Sequence, residues 1–148
     1  MSHVRRTNQA LYFARLSLDK AEQEQQDAQS KRYSEECALF HIYTATLSFA
    51  GEVVLQCGLE PFNDLAELLS RDALPGDIKE LSLLLNDPSS WLASLMGQYA
   101  RVIYHGLDDS GAASGLIFSQ SDYSSLFANW LIELENIVQR MREHYQEY

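Results

Sequence analysis

Residues 37–57, CALFHIYTATLSFAGEVVLQC, decide the fold, and Glu52 is the only acidic or basic side chain among them. Tyr33, Cys37, Phe40, Thr44, Leu47, Gly51 and Val54 recur at three- and four-residue spacing, while Leu39, Tyr43, Thr46, Ala50 and Val53 mark another face. A helix apolar on both faces is surrounded by other helices, so this stretch predicts the centre of a bundle. Its length also suits a membrane span. A central acid, however, costs about 2.5–3.5 kcal/mol on insertion scales, and His41, Thr44, Thr46, Ser48 and Gln56 add to that cost. No Lys or Arg flanks its C-terminal end. A buried core helix is the reading, starting between Ser30 and Ser34 and ending at Gly58, a natural residue just past a helix end. Cys37 and Cys57 then lie ~30 Å apart along one helix and cannot bridge each other. Reduced, buried thiols in a cytoplasm are expected.

On the N-terminal side, Thr7 is a good N-cap, and Leu11, Ala14, Leu18 and Ala21 follow at helical spacing. The segment then turns polar through EQEQQDAQ (22–29). A first helix to about residue 29 is expected, its last turns projecting past the core. Downstream, Glu60-Pro61 opens a short helix carrying Phe62, Leu65, Leu68 and Leu69, broken at Leu74-Pro75-Gly76. Another short helix spans roughly Asp77 to Leu85. Asp87-Pro88 reads as cap and first residue of a helix with Trp91, Leu95, Tyr99, Val102 and Ile103, closed by Gly106. Residues 107–120 form the longest loop, whose Leu116-Ile117-Phe118 is the one strand candidate. Ser121 or its neighbours cap a final helix whose stripe is Leu126, Trp130, Leu134, Ile137 and Met141. Glu133, Glu135, Arg140, Arg142 and Glu143 lie on its outer face. The sum is all-α: a bundle of four longer helices with two short helices between the second and third.

The 148 residues suit a single helical-bundle domain over 1–148. Two cysteines exclude a disulfide scaffold, and no period of 20–50 residues marks a repeat array. A net charge of −10 opposes binding to nucleic acid or anionic membrane. The opening MSHVRRTNQALYF has no apolar segment behind its basic residues and does not read as a signal peptide. Charge is unevenly spread: residues 1–32 hold six basic and four acidic side chains, net +2, against net −12 for the remainder. A basic N-terminal segment beside an acidic body favours docking between copies or onto the body itself.

Four segments, RTNQALYFARLSLDKAE (6–22), ECALFHIYTATLSF (36–49), NDPSSWLASL (86–95) and the helix from Trp130 to Tyr145, occur in an order that touches nearly the whole chain. Together they resemble an uncharacterised gammaproteobacterial family of small all-helical proteins, a domain of unknown function. Arg6-Thr7-Asn8-Gln9 with Tyr12-Phe13 is the most specific part. The resemblance implies a bacterial, cytosolic, helical protein, and implies no activity and no catalytic residues. Members of that family often have a longer, more basic loop where this chain has LDDSGAASG (107–115).

Known site chemistry is sparse. Glu-x-x-His, His-Glu-x-x-His, Cys-x-x-Cys, phosphate-cradling glycine loops and Gly-x-Ser-x-Gly are all missing from the sequence. Asp108-Asp109-Ser110-Gly111 lacks the alternating oxygen ligands of a calcium loop and reads as a solvated acidic turn. Neither a metal nor a cofactor is expected. Arg101 and His105 approximate the Arg/His pair of RNA-cleaving and nucleotide-binding helical bundles of the HEPN type, with a gap one residue short. On a helix the two still share a face. Arg140 and His144 repeat the spacing, so the pattern arises cheaply, and cations beside the Gly106 stop suit the helix dipole.

Glu52 needs a partner if it is buried, and Arg101 or Arg15 is the expected one. The alternative is a ligand pocket formed by His41, Glu52 and Arg101; His41 otherwise reads as a hydrogen-bonded core histidine. The aromatic residues read as core. The leading functional reading is a non-enzymatic soluble interaction module that pairs with itself, as a dimer, or with one protein partner. A HEPN-type enzyme and a small-molecule binder are the alternatives.

Overall fold

The structure, a computed structural model, describes residues 2–107 and 122–146 and is all-α. Its helices are α1 (His3–Gln23), α2 (Ala28–Gln56), α3 (Leu65–Leu69), α4 (Gly76–Asn86), α5 (Trp91–His105) and α6 (Asp122–Gln146). No strand occurs among the described residues. Two short helices, α3 and α4, separate the second long helix from the third, as the sequence predicts. The loop that carries Leu116-Ile117-Phe118 and the acidic turn, together with the Ser121 cap, lies outside the described residues.

The central helix is α2. Leu39, Ile42, Ala45, Phe49, Val53 and Val54 sit in the core with Ile78 and Leu81 of α4, Leu92 and Leu95 of α5, and Phe127, Leu134 and Met141 of α6. By length and composition α2 could cross a membrane, yet 67% of its most apolar window is buried inside the bundle.

The α1–α2 contact is a seam of small residues. Thr7, Ala10, Ala14 and Ala21 of α1 are buried, opposite Ser34, Ala38, Ala45 and Ser48 of α2, which are buried too. Both sets follow steps of three, four and seven residues, the spacing of an antiparallel helix pair. Small side chains set a short distance between axes. At the open end of the seam His3 lies against Gly51, where a Cβ would come within 2.7 Å of the imidazole Cε1. Leu11 and Leu18, predicted on the same stripe as Ala14, are half-buried beside it.

Local hydrogen bonds move several helix ends from their predicted places. Ser2, not Thr7, caps α1, its hydroxyl accepting from the Arg5 amide. Thr7 is inside the helix, donating to the His3 carbonyl and bonded to Ser48 Oγ at 3.0 Å. The first helix stops at Gln23, six residues early, and its polar tail does not project. Asp27 caps α2 by accepting from the Gln29 and Ser30 amides, so the polar run supplies the turn that folds α2 back on α1. Asp64 caps α3, which starts after Pro61 rather than at it. Asp87 spends its carboxylate on the Ser89 amide and hydroxyl, leaving Ser90 to cap α5. Gly106 closes α5 at φ 69° as predicted.

The seam generates a stability test. Ala14→Leu should cost about 1–3 kcal/mol in urea unfolding, because the seam has no room for a larger side chain. Leu16→Ala, on the exposed face of the same helix, should stay within about 0.5 kcal/mol.

Candidate functional site

Glu52 lies 4% exposed on α2 and its carboxylate is fully engaged, but by neither predicted partner. Arg142 of α6 reaches it with two nitrogens, Nε to Oε1 at 2.7 Å and Nη2 to Oε2 at 3.0 Å. The remaining Nη1 donates to Asn8 Oδ1 of α1 at 2.8 Å, so one guanidinium ties three helices together. Arg15 instead pairs with Glu135 on the surface of α1 and α6. Arg101 is half-buried on α5, and the Glu52 pairing expected for it is taken by Arg142. Arg142 therefore turns inward from a position read as outer face. The buried-and-paired reading of Glu52 is right, and its partner is corrected.

A second buried carboxylate was missed altogether. Glu35 is fully buried at the other end of α2, accepting from Arg32 Nη1 at 2.8 Å and from Ser124 Oγ of α6 at 2.8 Å. The Arg32 guanidinium also lies 4.8 Å over the Tyr123 ring. Next to it, Glu36 accepts from the Leu107 amide at 3.1 Å. The helix is expected from the sequence to start between Ser30 and Ser34, with no role for Glu35. Only the four-residue spacing of Glu35 to Leu39 and the buried face beyond it points inward.

These contacts give the opening motif its physical content. Arg6 donates to Gln9 at 2.6 Å, Thr7 meets Ser48, and Asn8 holds Arg142. Tyr12 and Phe13 lead elsewhere, into an unbroken chain of rings on the surface. Tyr12 meets Phe13 at 6.3 Å, Phe13 meets His41 at 5.3 Å, and His41 meets Phe40 at 5.4 Å. Phe40 then meets Tyr99 at 6.5 Å, and Tyr99 stacks on Tyr43 at 3.6 Å. The band crosses α1, α2 and α5. Tyr12 is 58% and Phe40 46% exposed, so these aromatic residues, expected in the core, stand at the surface. Leu16 and Tyr33, also exposed, extend the band around a shallow hollow that Lys20, Cys37 and His41 line.

His41 is not the hydrogen-bonded core histidine expected of it. It is half-buried among rings, and its Nδ1 is buried without a hydrogen-bond partner among the described residues. Burial, with the nearby Arg6 charge, pushes its pKa below the usual imidazole range. Burial also raises the Tyr43 hydroxyl, helped by Tyr99. Neither Glu52 nor Arg101 lines the hollow beside His41, so the predicted three-residue pocket is not assembled there. Arg101 and His105 stand one turn apart at the end of α5, His105 exposed. The two cysteines are free and half-buried, rather than fully buried. Among the described residues no group of three or more His, Cys, Asp or Glu could hold a metal ion.

The model of a family of unknown function (DUF6586) matches residues 1–148, the whole chain. No curated protein and no solved structure matches it.

Two measurements check this site. Arg142→Met should destabilise by about 3–5 kcal/mol, since it strands a buried carboxylate, and the Glu52→Met/Arg142→Met double variant should cost much less. A cycle of Glu52→Met with Arg15→Met should be additive. For His41 the linkage runs toward acid: the unfolded imidazole takes a proton near pH 6.5 while the folded one resists. Its stability contribution is present above pH 6.5 and is lost as pH falls. The native protein should therefore lose more stability between pH 8 and 5 than His41→Leu, as read by urea unfolding at each pH.

Proposed function

The chain belongs to that family, a membership that passes on no activity, and we propose from its own residues that it is a non-enzymatic interaction module that pairs with a second copy of itself. The observation that carries this reading is the ring chain from Tyr12 to Tyr43, left half-covered across three helices. Clustered aromatic side chains supply most hot spots of protein interfaces, because they bury large area at low entropic cost.

Charge argues for a second copy as the occupant. At −10, two copies repel, and they approach most cheaply where the surface is least acidic. The band lies beside Arg6 and Lys20 of α1, within the net-positive first 32 residues. A twofold contact across it brings each basic α1 toward the acid-rich remainder of the other copy, so one patch is complementary to itself. The module works as a soluble cytoplasmic protein, consistent with an enclosed α2 and two free thiols, and its acidity opposes nucleic acid as a partner.

Sedimentation velocity over a range of micromolar concentrations tests the reading. The native chain should sediment as a dimer, and Tyr12→Ser/Phe40→Ser as a folded monomer. Each hot-spot truncation should weaken pairing by about 2 kcal/mol or more, roughly thirtyfold. A native chain that stays monomeric at the highest concentration overturns it.

A further inference from the structure

Beside the seam's open end lies a second hollow of about 320 Å³, walled by the first turns of α1, the middle of α2 and the segment after it. That volume sits at the small end of the ~300–1,000 Å³ range of ligand sites. In a chain with 21 acidic residues, none of the nine residues lining this hollow is an acid. Arg6 and His3 are its basic lining residues, and Leu47, Pro61 and Phe62 its apolar ones. Gly51 forms part of the wall because His3 packs where its Cβ would be. Ser48 has its hydroxyl spent between Thr7 and the His3 carbonyl, so the inner wall makes no demand on a ligand. Arg6 gives one nitrogen to Gln9 and keeps others of its five donors.

We propose that this hollow binds a small monocarboxylate with a compact apolar body. A guanidinium fork matches a carboxylate in two parallel hydrogen bonds. One arginine balances a single negative charge, and the apolar lining of Leu47, Pro61 and Phe62 suits a ring or short alkyl chain rather than a second anionic group. The local absence of acids, in a molecule that is acidic elsewhere, lowers the repulsion that an anion meets in this hollow.

Amide chemical shifts of the ¹⁵N-labelled full chain, titrated with benzoate, hexanoate, inorganic phosphate and benzyl alcohol, provide the test. Benzoate or hexanoate should give saturable shifts confined to the amides of residues 3–6, 44–51 and 62–63. Benzyl alcohol and inorganic phosphate should bind at least about tenfold more weakly, as should benzoate to Arg6→Gln. Phe62→Ser, which lies off the aromatic band, should weaken benzoate binding while leaving the oligomeric state unchanged. Phosphate binding as tightly as benzoate, an unaltered affinity in Arg6→Gln, or no saturation at millimolar ligand would each overturn the proposal.

Discussion

A helix of 29 residues that is apolar around its circumference has to be covered from every side, and the rest of this chain is arranged to cover α2. Apolar contact alone leaves α2 free to slide and rotate against its neighbours, because hydrophobic burial has no direction. Direction comes from the two carboxylates that α2 buries. Glu35 takes Ser124 and Glu52 takes Arg142, so residues 17 apart on α2 meet residues 18 apart on α6. The two helices therefore run parallel in a single register. Shifting either by one residue would leave a charge buried without its partner, at a cost of several kcal/mol. Asn8 and Ser48 do the same for α1, in the antiparallel sense.

The architecture was legible because periodicity reports how many sides of a helix are apolar. Its ends were less so. Asp27 and Ser90 outcompete the predicted termini through particular side-chain bonds to backbone amides, and such competition between near neighbours leaves little trace in a hydrophobic pattern. The reading of Glu52 shows where residue-level inference stops. An isolated acid in an apolar run announces that it is paired. It does not say with which cation, since a long arginine side chain reaches across a helix boundary from a position that looks solvent-facing. Arg142 and Glu135 stand seven residues apart on α6, and both reach toward α1, at Asn8 and Arg15. That flanking spacing was the available signal.

The aromatic band marks the same limit from the other side. Sequence shows that Phe40 and Tyr43 belong to an apolar helix, and not whether this chain has enough helix to cover them. With 15 residues, α5 crosses about half the length of α2 and stacks Tyr99 on Tyr43, leaving Phe40 half in solvent. An apolar face that its own fold does not cover has two physical outcomes, a standing cost in exposed surface or burial against something else. The charge pattern separates them. Solubility alone would be served by acids beside the rings, as on the rest of this surface, yet the side chains bordering the band from α1 are Arg6 and Lys20. Cations at the edge of an aromatic patch, in a molecule otherwise acidic, suit a surface that receives an acidic one, and a second copy of this chain supplies such a surface.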